Sequence, residues 1–324
     1  MDIRDIKAFL SEPMAEVEKL ISDTLRSDID LLDATNRSLL AQGGKRIRPM
    51  LSLLAAGACG GICADSVRFA ATSELMHNAT LLHDDVVDGA TVRRGKPTVM
   101  SILSGPASVL VGDYWLVKAI RCILSADRYS EQVVRLYAKT LSDLAKGELF
   151  QLQKASSADT TREDYLRIVY CKTASLFEAA VLSGAVSAGA PEEWTAALAA
   201  YARNLGIAFQ MKDDIFDYGD AAVGKPVGID LQEQKITLPL LCALDCVPET
   251  EASEIRRMVG RISSDPALEP QVRAFVLEHG GVEAAAHEMD GRIGEAISAL
   301  EELPPSREKD CLVELARFVG ERTF

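Results

Sequence analysis

The chain has 324 residues, of which 48% are hydrophobic and only 6% aromatic, enough to bury a large core in one big domain or two. A formal net charge of −13 and a pI near 4.9 exclude a nucleic-acid binder whose affinity rests on phosphate neutralisation. The N-terminal MDIRDIKAFLSEPM lacks the apolar core of a signal peptide, and no uncharged apolar run approaches the roughly 18–20 residues of a membrane span.

Apolar residues recur at three- and four-residue spacing, Ala and Leu dominate, and β-branched runs are short, so the fold class is all-α. In chain order the expected helices cover about 12–41, 48–58, 64–88, 106–124, 130–154, 161–188, 191–218, 236–247, 251–264, 267–279, 281–302 and 306–321. Thr161 with Asp164 reads as a capping box, Pro191 suits a first helical position, and Ser306 before REKD is a further cap. Three stretches break the pattern and are basic or glycine-rich: GGKRIRP (43–49), GATVRRGKPT (89–98) and YGDAAVGKPVGIDLQEQK (218–235). No linker or low-complexity tract divides the chain, so one helical domain over 1–324 is expected. The seven cysteines are odd in number and scattered, with no CxxC pair, and read as buried thiols of a reducing, cytoplasmic compartment.

Two acidic clusters stand out, LLHDDVVD (81–88) and DDIFD (213–217). At helical spacing, His77, Leu81, Asp84 and Asp88 share one face, as do Gly206, Gln210, Asp213 and Asp217 on the other helix. One such cluster would be an ordinary solvated helix end. Two, each following an apolar stretch and preceding a basic loop, call for a ligand. Carboxylates one turn apart suit Mg²⁺, which is usually held by one or two carboxylates plus substrate phosphates. The loops carry Lys45, Arg46 and Arg48, then Arg93, Arg94 and Lys96, then Lys225 and Lys235, beside glycines that let backbone approach a phosphate. For Arg46 and Lys96, pairing with neighbouring acids is an equal alternative. Six aspartates and a diphosphate of charge roughly −3 need cations to coexist, so two or three Mg²⁺ and several basic residues are implied.

The ordered set GGKRIRP (43–49), ELMHNATLLHDDVVDGATVRRGKPT (74–98), GDY (112–114), GELFQL (147–152), KTASLF (172–177), FQMKDDIFD (209–217) and GKPVGIDLQEQKITLPL (224–240) resembles the trans-isoprenyl diphosphate synthases, the polyprenyl synthetase family. The resemblance implies a helical bundle around a deep cavity, usually homodimeric. It also implies head-to-tail condensation of isopentenyl diphosphate with an allylic diphosphate such as farnesyl or geranylgeranyl diphosphate, releasing pyrophosphate. By resemblance, Asp84, Asp88 and Asp213 coordinate Mg²⁺ on the allylic diphosphate, with Asp85, Asp214 and Asp217 supporting them. Lys45, Arg48, His77 and Arg94 would hold isopentenyl diphosphate. Arg93, Lys172, Lys225 and Lys235 would hold the allylic diphosphate, with Thr173 and Gln210 near the developing cation. Ionisation of the allylic C–O bond, attack by the alkene and proton loss to pyrophosphate would follow, in a pocket that excludes water. His83, Tyr114 and Trp115 read as structural, and Gln234 stands where the family often has Gly.

Chain length in the family depends on bulk below the first motif. There Ser73, Met76, Ala79 and Thr80 present no aromatic stopper and DDVVD carries no insertion. A C40 product, within C30–C50, is expected, of the kind used for quinone side chains, with transient membrane contact for its release. A terpene cyclase would carry a different second metal motif and need no GGKRIRP. A short-chain (C15 or C20) synthase would carry bulk or an insertion before DDVVD. A non-catalytic subunit of a heteromeric synthase would have lost aspartates that are all present here.

Overall fold

The computed structural model describes residues 2–93, 95–219 and 228–322. The chain is all-α, and among the described residues extended structure is confined to a hairpin, Val92–Arg93 against Lys96–Pro97. Its contacts divide it into two compact units, each assembled from three stretches of chain.

The first unit comprises 1–138, 179–199 and 302–312. Helix Ile47–Ala58 is apolar on nearly all sides and almost wholly buried. Gly184 lets a second helix reach it backbone to backbone, since a Cβ there would fall 1.9 Å from the Ser52 carbonyl oxygen. Helix Ala64–Val87, which ends in the first acidic motif, packs on Gly105–Leu124 through Gly112, whose missing side chain would meet the His83 ring and the Ala79 carbonyl. His83 also lies 3.3 Å from Asp113, a structural role as expected. Trp115 is buried and donates to Asn36, which in turn donates to the Leu25 carbonyl.

The second unit comprises 139–178, 200–301 and 313–324. Here Gly281 packs against the Pro239 carbonyl, and Gly206 packs against Ala174. The run Arg162–Ser187 is one continuous helical stretch with a π-turn at Tyr170–Ala174. By length and composition this stretch could cross a membrane, an exception to the reading of the sequence. It nevertheless carries Lys172 and Glu178, and 72% of its apolar window is buried inside the protein, as in a core helix.

The helices follow the expected periodicity, and the Thr161–Asp164 capping box and the Ser306 cap are present. The stretch 12–41 is two helices, Ser11–Thr24 and Asp30–Ala41, and a further helix, Ile3–Phe9, precedes them. The break has a local cause: Ser27 accepts from the Ile29 amide, and Asp33 accepts from the Ser27 amide, drawing backbone donors out of the helical ladder. All seven cysteines are free thiols, but Cys63 and Cys246 are exposed rather than buried.

Candidate active site

In the first unit, Asp84 and Asp88 lie one turn apart at the end of Ala64–Val87, joined through the backbone by the Asp88 amide bonding to the Asp84 carbonyl at 2.8 Å. Asp84 is half-buried and Asp88 exposed. Asp85, between them, points inward, is 4% exposed, and accepts from the Arg93 Nε at 2.6 Å. Gly89 and Gly95 turn at positive φ, and Thr98 closes the hairpin by donating to the Ala90 carbonyl. The loop expected at 89–98 is therefore a hairpin that brings Arg93 back onto the motif. A small cavity beside it is lined by Asp85, Arg93, Gly43, Asn78 and Thr98, among others.

Lys45 is exposed ahead of helix Ile47–Ala58, and Arg48 is half-buried in its first turn. His77 is half-buried, its carbonyl accepting from the Thr80 hydroxyl. Arg46 is in the left-handed region and pairs with the buried Glu74, so it follows the structural alternative, whereas Lys96 is exposed. Ser73, Met76 and Ala79 are fully buried and Thr80 half-buried, and none of the four lines the small cavity. Arg94 and Lys225 lie outside the described residues.

In the second unit, Lys172, Gln210, Asp214 and Lys235 line one cavity of about 140 Å³. The π-turn holds Lys172 and Thr173, a widened turn of the kind that recurs at functional sites. Gly147 is what lets it seat, because a Cβ there would fall 2.6 Å from that of Cys171. A buried chain of hydrogen bonds orients the site. Thr173 donates to the Gln210 carbonyl oxygen at 2.8 Å, the Gln210 amide donates to Asp214 at 2.9 Å, and the Tyr165 hydroxyl donates to the other Asp214 oxygen at 2.7 Å. Burial pushes the Asp214 carboxyl up to about 6, opposed by these two donors and reinforced by Asp213 and Asp217.

Asp217 is likewise engaged within the protein, its oxygens accepting the amides of Ile229 and Asp230 at 3.0 Å each. Burial also raises its pKa. Asp213 is half-buried and bonded through Oδ1 to Arg322 at 2.9 Å. Lys172 pairs with Glu148 at 2.5 Å and Lys235 pairs with Glu233.

Asp85, Asp214 and Asp217 accept from protein donors and Asp213 is bonded to Arg322, while Asp84 is half-buried and Asp88 exposed. Among the described residues no cluster of three His, Cys, Asp or Glu is preassembled around a point. Carboxylate oxygens are the donors a hard divalent cation takes, and each acidic motif supplies three carboxylates.

Several residues here escape a linear reading. Asp230 lines the cavity, and burial together with the charges of Asp214 and Asp217 raises its pKa well above the ordinary range. Tyr165 and Lys154 line it too. Gln234 is at φ 58°, which explains a glycine preference there, and its amide donates to the Gly260 carbonyl at 2.7 Å.

Residues 29–274 match the polyprenyl synthetase family, three quarters of the chain. The chain belongs to that family. It is 37% identical to the octaprenyl diphosphate synthase of Escherichia coli, over 99% of each chain. Among solved structures it is similar to a decaprenyl diphosphate synthase from Rhodobacter capsulatus, with a TM-score of 0.92, 36% identity and 99% of each chain covered. A polyprenyl synthase from Caulobacter crescentus, crystallised with calcium and isoprenyl diphosphate, aligns with a TM-score of 0.91 at 36% identity, over 99% of this chain and 98% of that one. The ordered motifs that carried the resemblance in the sequence therefore belong to full-length kinship within this family.

Proposed function

We propose that this chain is a divalent-metal-dependent trans-prenyltransferase that adds isopentenyl diphosphate units to an allylic diphosphate and releases a C40 polyprenyl diphosphate, within C30–C50. The carrying observation is the family match over three quarters of the chain with both acidic motifs intact, Asp84, Asp85 and Asp88 at the end of one helix and Asp213, Asp214 and Asp217 at the end of another. Full-length similarity to octaprenyl and decaprenyl synthases supports the product class.

Mg²⁺, two or three per site, supplies Lewis-acid charge stabilisation to the leaving diphosphate. Calcium with isoprenyl diphosphate in the Caulobacter relative supports a divalent site of this kind. The protein's own part is positioning and electrostatics. Arg93, Lys172 and Lys235 counter the allylic diphosphate, and Lys45, Arg48, His77 and Arg94 hold isopentenyl diphosphate. Lys225 joins the first set. The Gln210 carbonyl oxygen, fixed by Thr173, gives a dipole near the allylic cation that a freely rotating amide could not supply.

The working form is a homodimer. Helix Gly105–Leu124 carries an exposed stripe of Leu110, Val117, Ile120 and Leu124 at helical spacing, the pattern of a face that a second copy covers. A cytoplasmic enzyme touching the membrane only to release product fits this reading.

The test is incubation of the purified chain with Mg²⁺, farnesyl diphosphate and labelled isopentenyl diphosphate, followed by chromatography of the dephosphorylated products. A C40 main product, abolished by EDTA, is expected. Products stopping at C20 would refute the chain length, and no condensation from dimethylallyl, geranyl or farnesyl diphosphate at any Mg²⁺ concentration would refute the enzyme.

A further inference from the structure

Asp213 has a partner from far along the chain. Arg322, just beyond helix Arg307–Glu321, has a side chain only 4% exposed, with Nη2 2.9 Å from Asp213 Oδ1. The same nitrogen donates to the Phe209 carbonyl at 2.7 Å. The guanidinium lies 3.9 Å from the centre of the Phe209 ring and 5.5 Å from that of Phe216. Phe209, Asp213 and Phe216 follow one another at helical spacing on Glu192–Phe216, so Arg322 lies along a single face of that helix. The Gln210–Asp214 face is clamped separately, by Thr173 and Tyr165.

This contact is built rather than incidental. Surface arginines that wander onto a carboxylate gain little. Here the cation is stacked on an aromatic ring, anchored to a main-chain oxygen and enclosed, and a buried charge of this kind is tolerated only with its counter-charge in place. The bond uses one Asp213 oxygen. It leaves Oδ2 as the atom that can turn to a metal, and it restricts the carboxylate's rotation about χ2.

We propose that Arg322 is a positioning residue that holds Asp213 in its metal-ligating orientation, making the residue that follows helix Arg307–Glu321 part of the metal site. The inference rests on the reading of Asp213 as a ligand. It follows that loading of the second motif and seating of Arg322 are thermodynamically linked: each favours the other.

The experiment uses the full-length protein and Mn²⁺ titrated in the presence of farnesyl thiodiphosphate, with bound metal followed by electron paramagnetic resonance. Arg322→Gln removes the charge and keeps a single donor, and Mn²⁺ affinity should fall about tenfold, as for other residues that orient a metal ligand. Arg322→Lys keeps the charge and should stay within about threefold of wild type, which also guards against a variant that fails to fold. In turnover, the Mg²⁺ concentration for half-maximal rate should rise in Arg322→Gln while kcat at saturating Mg²⁺ is largely kept. In the Asp213→Asn background, Arg322→Gln should have no further effect on Mn²⁺ affinity.

If Asp213→Asn weakens Mn²⁺ binding but Arg322→Gln does not, or if the two effects simply add, the positioning role is overturned while the site reading stands. If Asp213→Asn itself leaves Mn²⁺ affinity unchanged, the assignment of Asp213 as a ligand fails, and the proposal fails with it.

Discussion

Gly206→Ala would place a methyl group 2.5 Å from the Ala174 Cα and 2.8 Å from its Cβ, both deep in the second unit. Backbone cannot swing aside as a flexible side chain can, so relief requires helix Glu192–Phe216 to move off the π-turn segment by roughly 1 Å, back to ordinary contact distance. Overpacking of this kind costs about 3 kcal/mol, against which the better helix propensity of Ala returns about 1, leaving roughly 2 kcal/mol of destabilisation. The effect on chemistry should be larger than the effect on folding. Gln210 is one turn from Gly206 and Thr173 adjoins Ala174, so the same movement stretches their 2.8 Å hydrogen bond beyond useful length. A misplacement of about 1 Å in a positioned group lowers rate on the order of 100-fold. Steady-state prenyl transfer and thermal melting, run side by side, check this. The comparator is Gly294→Ala, where nothing lies within 4 Å of the added atom, and which should melt no lower than wild type. A Gly206→Ala enzyme that melts like wild type and turns over within a few-fold of it would refute the close helix contact and the role given to the Thr173–Gln210 bond.

Asp214 should make the metal-free protein pH-sensitive. Its folded pKa is raised from 3.8 to about 6, mainly by burial, so its contribution to stability is full below the unfolded value and is lost as pH rises through about 6. The loss is of order 3 kcal/mol. In EDTA, urea midpoints of wild type should therefore fall between about pH 4 and pH 7 relative to those of Asp214→Asn, and parallel curves would contradict the assignment. Gln234→Ala should destabilise by about 1–2 kcal/mol by removing its hydrogen bond to the carbonyl of Gly260 while keeping the left-handed backbone. Gln234→Gly should be milder by about 1 kcal/mol, since glycine adopts that backbone without strain, and chemical denaturation of both compares them. Ala79→Tyr adds an aromatic ring to a fully buried position before the first motif and should shorten the product sharply. Unchanged product length on chromatography would show that Ala79 does not border the growing chain.

Most helices were legible because burying one face of a helix imprints a period near 3.6 on the chain, and caps such as Thr161 punctuate it. The acidic motifs were legible for a different reason: carboxylates crowded on one face contradict ordinary helix chemistry and so announce a ligand. What stayed hidden depends on the folded chain. Asp230 reads as one loop acid among several until Asp217 bonds to the amides of the turn that carries it. Arg322 lies 109 positions from its partner, and no spacing rule links them. The division between Asp84 and Asp85 was implicit in helical geometry, but Arg93 returning through a hairpin with strands of only two residues was not, because so short a strand has no period to read.

The π-turn at Tyr170–Ala174 amounts to one residue of slack stored inside an otherwise regular helix. Deleting a residue there would let the stretch relax to an ordinary α-helix of nearly the same length, sparing the apolar seams on either side. The flanking faces would keep their phase, and only the side chains of the widened turn would face elsewhere. A shortened chain could fold, melt cooperatively and still be inert, because Lys172 and Thr173 would no longer share a register with the helix that carries Gln210. Such a chain would be a folded blank, useful wherever the architecture is wanted without its chemistry.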